Sequence, residues 1–191
     1  MRVAEARLEA VDSGLAPAGD GWFIVNVRDA AWLTNDALGA RCVFEGDTRV
    51  VRGTSLDVHK FADIGFSLTV IEPGQASTMY HAESNQEDFL VLAGECVALV
   101  EGEERHLHAW DFVHCPPGTE HTFVGAGEGP CVIFATGARV AERSIVYPRS
   151  EPALRLGAGV ETETDSPADA YAELPHWQRG RPQRWDALPW A

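Results

Sequence analysis

The chain has 191 residues, enough for one domain with extensions and for a core that needs no covalent staples. Its 29 acidic and 15 basic residues give a formal net charge of −14, which argues against nucleic acid or an anionic membrane as partner, since both need clustered cations. A small anionic substrate fits that balance if a metal supplies positive charge locally.

The N-terminus, MRVAEARLEAVDSG, lacks the apolar centre of a secretory signal, and no apolar run is long enough to span a bilayer. The expected location is the cytoplasm. Cys42, Cys96, Cys115 and Cys131 contain no C-x-x-C pair, so they signal no sulfur-rich zinc site. They read as small buried hydrophobes in a reducing compartment.

In chain order, GWFIVNVRDA (21–30) predicts a strand, and the irregular AAWLTNDALGARCVFEG follows. Residues 1–64 read as an N-terminal extension with one or more strands that enlarges a sheet or covers its edge. Regular short strands begin with GFSLTVIEPG (65–74), stopped by Pro73-Gly74, and continue with STMYHAE (77–83) and EDFLVLAGE (87–95). CVALV (96–100) turns through Gly102 into RHLH (105–108), and DFVHC (111–115) is cut off by Pro116-Pro117-Gly118. HTFVG (121–125) and CVIFAT (131–136) close the series. Short strands with turn signals between them predict an all-β antiparallel sandwich or barrel over 65–136, such as a jelly roll.

Residues 137–191 read as a C-terminal strand and strap. From 148 onward the tail holds six of the eleven prolines and Trp177, Trp185 and Trp190. ETETDSPADA (161–170) reads as solvated, and GRPQRWDALPWA as an extended strap with indoles docked on a hydrophobic surface. Two placements stay open: the strap packs on its own barrel, or it crosses to a second subunit or covers a pocket mouth.

Strand alternation puts His81 and Glu83 on one face. Glu87 opens the next strand and reaches the same cavity if the two strands pair. His121, just after the PPGTE turn, is a fourth candidate. Imidazoles and carboxylates converging from neighbouring strands form a nitrogen and oxygen set suited to a divalent ion such as Zn, Fe, Mn or Ni. Phe89 and Val91 share the parity of Glu87 and should line the cavity floor. Tyr80, of opposite parity to His81, should pack between sheets. His106 and His108 read as a solvated face. His114 is either a cavity acid or base or a packed core histidine, and Cys115 faces the other way. His59 and His176 carry no signal.

These spacings resemble the cupin superfamily, in particular a single-domain, cupin-2-like conserved barrel protein. The first cupin motif runs glycine, five residues, His-x-His, three or four residues, glutamate, six residues, glycine. Pro73-Gly74, His81, Glu87 and Gly94 follow it, with one extra residue between Gly74 and His81 and with Glu83 at the second imidazole position. In the second motif Pro116-Pro117-Gly118 and His121 match, while Trp110 replaces the leading glycine. The resemblance implies a double-stranded β-helix (jelly-roll) barrel and supports His81, Glu87 and His121 as ligands resembling a site of two histidines and one carboxylate. Glu83 is then a fourth ligand, a group that orients an imidazole, or a general base. Some barrels of this kind hold no metal. Two carboxylates in a low-dielectric cavity then need a shared proton or a water network.

The resemblance implies a metal-dependent enzyme of dioxygenase, isomerase or decarboxylase type acting on a small organic molecule, and a homodimer. The alternative is a non-enzymatic barrel that binds or senses a small ligand, with or without a metal.

Overall fold

The structure, a computed structural model, describes residues 2–19, 21–44, 51–52, 55–56, 61, 63–139 and 143–191. The N-terminal part contributes strands β1 (Arg7–Val11), β2 (Gly14–Ala18), β3 (Leu33–Asn35), β4 (Gly39–Phe44), β5 (Val51–Arg52) and β6 (Ser55–Leu56). The central part contributes β7 (Ile64–Ile71), β8 (Ala82–Glu83), β9 (Glu87–Ala93), β10 (Glu95–Val100), β11 (Glu103–His108), β12 (Phe112–Cys115), β13 (His121–Ala126) and β14 (Cys131–Ala138). The tail adds β15 (Ile145–Val146), α1 (Glu151–Arg155), α2 (Pro167–Ala170) and β16 (Gln178–Arg179).

Seven antiparallel strands pair in the order β12-β9-β14-β7-β4-β3-β16, and β11-β10-β13 form a facing sheet. A bridge between His81 and His121 carries the smaller sheet on towards the β8-β15 pair. This is the expected all-β jelly-roll barrel. The seams that the sequence placed at Gly94, Gly102 and Pro116-Pro117-Gly118 are all turns. At Gly94, φ is +75°, and a Cβ would lie 2.3 Å from the carbonyl oxygen of Pro130, so only glycine closes the β9-β10 turn there.

Alternation divides the large sheet into two apolar faces. Ile71, Phe89, Val91, Cys115 and Ile133 point inward and meet Cys96, Ala98 and Phe123 of the smaller sheet. Leu68, Val70, Val132 and Cys42 point outward and are buried by the two chain extensions, chiefly through Trp32 and Leu188. Trp32 is fully buried and touches Trp185 edge-on at 5.7 Å between ring centroids and Trp190 at 5.4 Å. The C-terminal indoles therefore dock on the chain's own barrel. A short helical turn at Trp185–Ala187 bends a segment that the sequence suggested was extended.

One other difference has a local cause. Residues 21–30 form no strand, only single bridges at Trp22 and Ala30. Phe23, Val25 and Val27 do alternate with exposed neighbours, but among the described residues no strand pairs with them. The Asn26 side chain accepts a bond from the Arg28 N–H at 2.9 Å and turns the chain. The segment after it makes the β3-β4 hairpin, which enlarges the large sheet. Asn35 Oδ1 closes that hairpin by accepting from the N–H groups of Ala37 and Leu38. His59 lies outside the described residues.

Trp110 stands where the motif resembled above has glycine, and it keeps a glycine-like backbone, with φ at +78°. Its side chain is 74% exposed, so no burial offsets the strain. A left-handed non-glycine residue costs roughly 1–2 kcal/mol, and glycine's extra freedom in the unfolded chain returns about 0.5–1 kcal/mol of that. Trp110→Gly is therefore expected to stabilise the protein by about 0.5–1 kcal/mol. Trp32→Ala should destabilise it by about 3–5 kcal/mol. Urea midpoints measure both, and a Trp110→Gly protein that unfolds earlier than its parent contradicts the strain argument.

Candidate metal centre

Three strand starts bring the site together. Backbone bonds tie His81 to His121 in both directions, at 3.2 and 2.8 Å. The imidazoles consequently lie side by side, with ring centroids 4.8 Å apart. Glu87 opens β9 with the same inward parity as Phe89. Its Oε2 lies 3.4 Å from His121 Nε2 and 3.9 Å from His81 Nε2. One ligand atom from each of the three residues falls within 4.8 Å of the others.

The tautomers follow from the backbone. His81 Nδ1 lies 2.8 Å from the Met79 carbonyl oxygen, and His121 Nδ1 lies 3.0 Å from that of Thr119. A carbonyl can only accept, so each Nδ1 carries the hydrogen and each Nε2 presents a lone pair. Both lone pairs thus face Glu87 Oε2, which is buried and accepts no hydrogen bond. Electron-rich atoms face one another across a gap of ligand size. A proton or a cation must sit among them, and two imidazole nitrogens with a carboxylate oxygen suit a divalent ion.

The local folding supports this aim. The Gly118 N–H donates to the Glu83 carbonyl at 2.7 Å, which docks the Pro116-Pro117-Gly118 turn on β8 and sets the Thr119 carbonyl under His121. On the other side, the Met79 N–H donates to the Tyr171 hydroxyl at 3.2 Å, so the C-terminal tail braces the peptide that holds His81.

Electrostatics agree with neutral imidazoles. Burial, then the neighbouring His121, pushes His81 down to about 3, and burial also lowers His121. Burial, then the charge of Glu83, raises Glu87 to about 8, against the opposing pull of Arg143, Arg139 and Arg41.

The site opens into a cavity of about 330 Å³. Phe89 lines it and packs on His121 at 5.1 Å between centroids, whereas Val91 lies deeper in the core. Glu83 lines the wall with Oε1 3.5 Å from Arg143 Nη2, beside the three converging ligand atoms. His114 faces out from β12, half-exposed, and pairs with Asp88 at 2.6 Å. It is neither in the cavity nor in the core. Cys115 is buried, and burial raises its thiol to about 12. Tyr80, expected between sheets, packs instead between Leu99 of β10 and Ala153 of α1, and His106 and His108 are exposed. Trp177 of the tail lines the cavity, so the strap both packs on its own barrel and reaches the pocket.

Sequence reasoning missed Arg41, Arg139, Arg143, Tyr147 and Tyr171, all of which line the cavity. Only Arg41 left a trace, as a lone cation in the apolar run GARCVF.

Residues 67–137 match the family model of the cupin domain. No curated protein matches the chain. Among solved structures, it is similar to a candidate sugar phosphate isomerase of Acidithiobacillus ferrooxidans, with 26% identity over 58% of this chain and 66% of that one, at a TM-score of 0.46. It is also similar to a Cupin 2 conserved barrel domain protein of Salinispora arenicola, with 19% identity over 73% and 98% of the two chains and a TM-score of 0.46. KdgF from Halomonas sp. shows 20% identity over 64% of this chain and 97% of that one, with a TM-score of 0.48. Among the described residues, no helix is long and apolar enough to cross a membrane.

The pH dependence of the metal-free protein follows from these shifts. Glu87 is raised from 4.5 to about 8, so between those values the folded state keeps a proton that the unfolded state releases. Stability therefore falls as pH rises through that window. His81 is lowered from 6.5 to about 3, so stability also falls as pH drops through that range. Between pH 6.5 and about 8 the Glu87 effect acts alone of the two. Chelator-treated protein should lose thermal midpoint across that interval, and a saturating dication should abolish the loss. A midpoint that is flat with pH and indifferent to chelator contradicts this assignment.

Proposed function

We propose that the protein is a metal-dependent enzyme acting on a small organic molecule, with a divalent ion held by His81, Glu87 and His121. The observation that carries this reading is the convergence of two Nε2 lone pairs, fixed by backbone carbonyls, on a buried carboxylate oxygen that has no hydrogen-bond donor. Three protein ligands leave coordination positions open to the cavity, the arrangement used by catalytic rather than structural sites. A bound ion would supply Lewis-acid polarisation of a substrate oxygen, or redox chemistry if the ion is iron.

The chain's own residues supply the rest. Phe89 and Phe123 give the cavity an apolar floor that excludes water from the ligands. Burial raises both Tyr147 and Tyr171, which keeps their phenols protonated and able to donate to a ligand. Glu83 acts as the anchor of Arg143 in this reading, not as a fourth ligand.

Elemental analysis of purified protein tests the site, and turnover assays test the activity. We expect close to one divalent ion per chain, falling about tenfold or more in His81→Ala and in His121→Ala. Glu83→Gln should keep its metal. Parent protein that neither contains nor takes up a divalent ion sinks the metal reading. Protein that binds metal and returns every bound organic ligand unchanged after long incubation is a binding module instead.

A further inference from the structure

Fifteen basic residues serve the whole chain against 29 acidic ones, yet the cavity reverses that balance. Its described lining holds Arg41, Arg139 and Arg143 against Glu83 and Glu87, a count of three cations to two anions. Seating a dication on Glu87 and the two imidazoles would make the same space more positive still.

The arginines come from separate parts of the fold. Arg41 projects from β4 between Ala40 and Cys42, which belong to the opposite, outward face. Its Nη2 donates to the Ser77 carbonyl at 2.9 Å, and its guanidinium lies over the Trp177 ring at 5.2 Å from the centroid. Arg139 follows the end of β14, and its backbone N–H donates to the Asp63 carbonyl at 2.7 Å. Arg143 precedes β15 and is held by Glu83 at 3.5 Å. The Arg41 and Arg143 guanidiniums, fixed in this way, lose little freedom when they bind an oxyanion, and the planar fork of an arginine matches carboxylate and phosphate oxygens. The lining also carries Phe89, Phe123 and Ile133, which suit a short carbon skeleton rather than a bare inorganic ion.

We propose that the cavity takes a small organic anion, whose carboxylate or phosphate oxygens are received by Arg41, Arg139 and Arg143 while another of its oxygens faces His81, Glu87 and His121. The assignment of that second end rests on the metal reading given above; the oxyanion subsite does not. Trp177 is a positioning residue here, because it holds the face of the Arg41 guanidinium. At about 330 Å³ the cavity stands at the small end of the range for small-molecule sites, which favours compact metabolites over oligomers.

Three probes on one three-carbon skeleton test this: glycerol, glycerate and glycerol 3-phosphate. Their binding is measured by calorimetry on the full chain, both metal-loaded and chelator-treated. At least one anion should bind about tenfold or more tighter than glycerol in both forms, and the tighter of the two identifies a carboxylate or a phosphate subsite. Arg41→Gln and Arg143→Gln should each weaken that anion by roughly tenfold without changing metal content. Arg143→Gln breaks the ion pair of the 11%-exposed Glu83, so thermal midpoints are read beside the affinities, and a variant that folds but has lost the anion supports the subsite. Anion binding that persists in protein unable to hold metal keeps the subsite and removes only the metal reading. Equal affinity for all three probes, or anion binding that survives both substitutions and vanishes only with the metal, overturns the proposal.

Discussion

Two backbone carbonyls decide what this cavity can do. Met79 and Thr119 each take the Nδ1 hydrogen of an imidazole, and that leaves both Nε2 atoms as acceptors aimed at Glu87. Without those bonds the rings could rotate or exchange tautomers, and one could donate to the carboxylate and satisfy it. With them, three acceptors face a common point in a desolvated space. Burial then works in one direction on every member, against imidazolium and against a bare carboxylate. The arrangement is poorly satisfied as protein alone and well satisfied around a cation.

The two carbonyls are themselves held by distant parts of the chain. Thr119 belongs to a proline-glycine turn that docks on the backbone of Glu83. Met79 is braced by Tyr171, which arrives only after the chain has left the barrel and passed α2. The same tail delivers Trp177 to the cavity and Trp185 and Trp190 to the outer face of the large sheet. Covering that outer face and completing the pocket are thus one folding event for the C-terminal segment. The N-terminal segment has a matching pair of tasks, placing Trp32 under the tail's indoles and Arg41 in the cavity.

How much of this could be read in advance depended on range. The strands between 65 and 136 were legible because alternation and their Gly and Pro stops are local signals, and Gly94 and the Pro116-Pro117-Gly118 turn behave as their chemistry requires. Strand parity and spacing offered His81, Glu83, Glu87 and His121 as candidates, and only the cupin resemblance singled out His81, Glu87 and His121, whose ligand atoms the barrel brings within 4.8 Å of one another. Residues 21–30 misled because β propensity describes a side chain's fit to a sheet, and among the described residues no strand pairs with them. The arginines were invisible because they come from three segments that share no spacing with the histidines and meet only in the folded barrel. Glu83 was legible as an inward carboxylate, but its neighbour Arg143 lies sixty residues away in the sequence, and that pairing has no local trace.

The central claim is that both imidazoles bind one ion through Nε2. X-ray absorption spectroscopy of zinc-loaded protein addresses it directly, because imidazole rings give a distinct multiple-scattering pattern. The account predicts two imidazole nitrogens at about 2.0–2.1 Å with a carboxylate oxygen at about 2.0–2.2 Å in the same shell. A shell of oxygens alone, with no imidazole scattering, would contradict it.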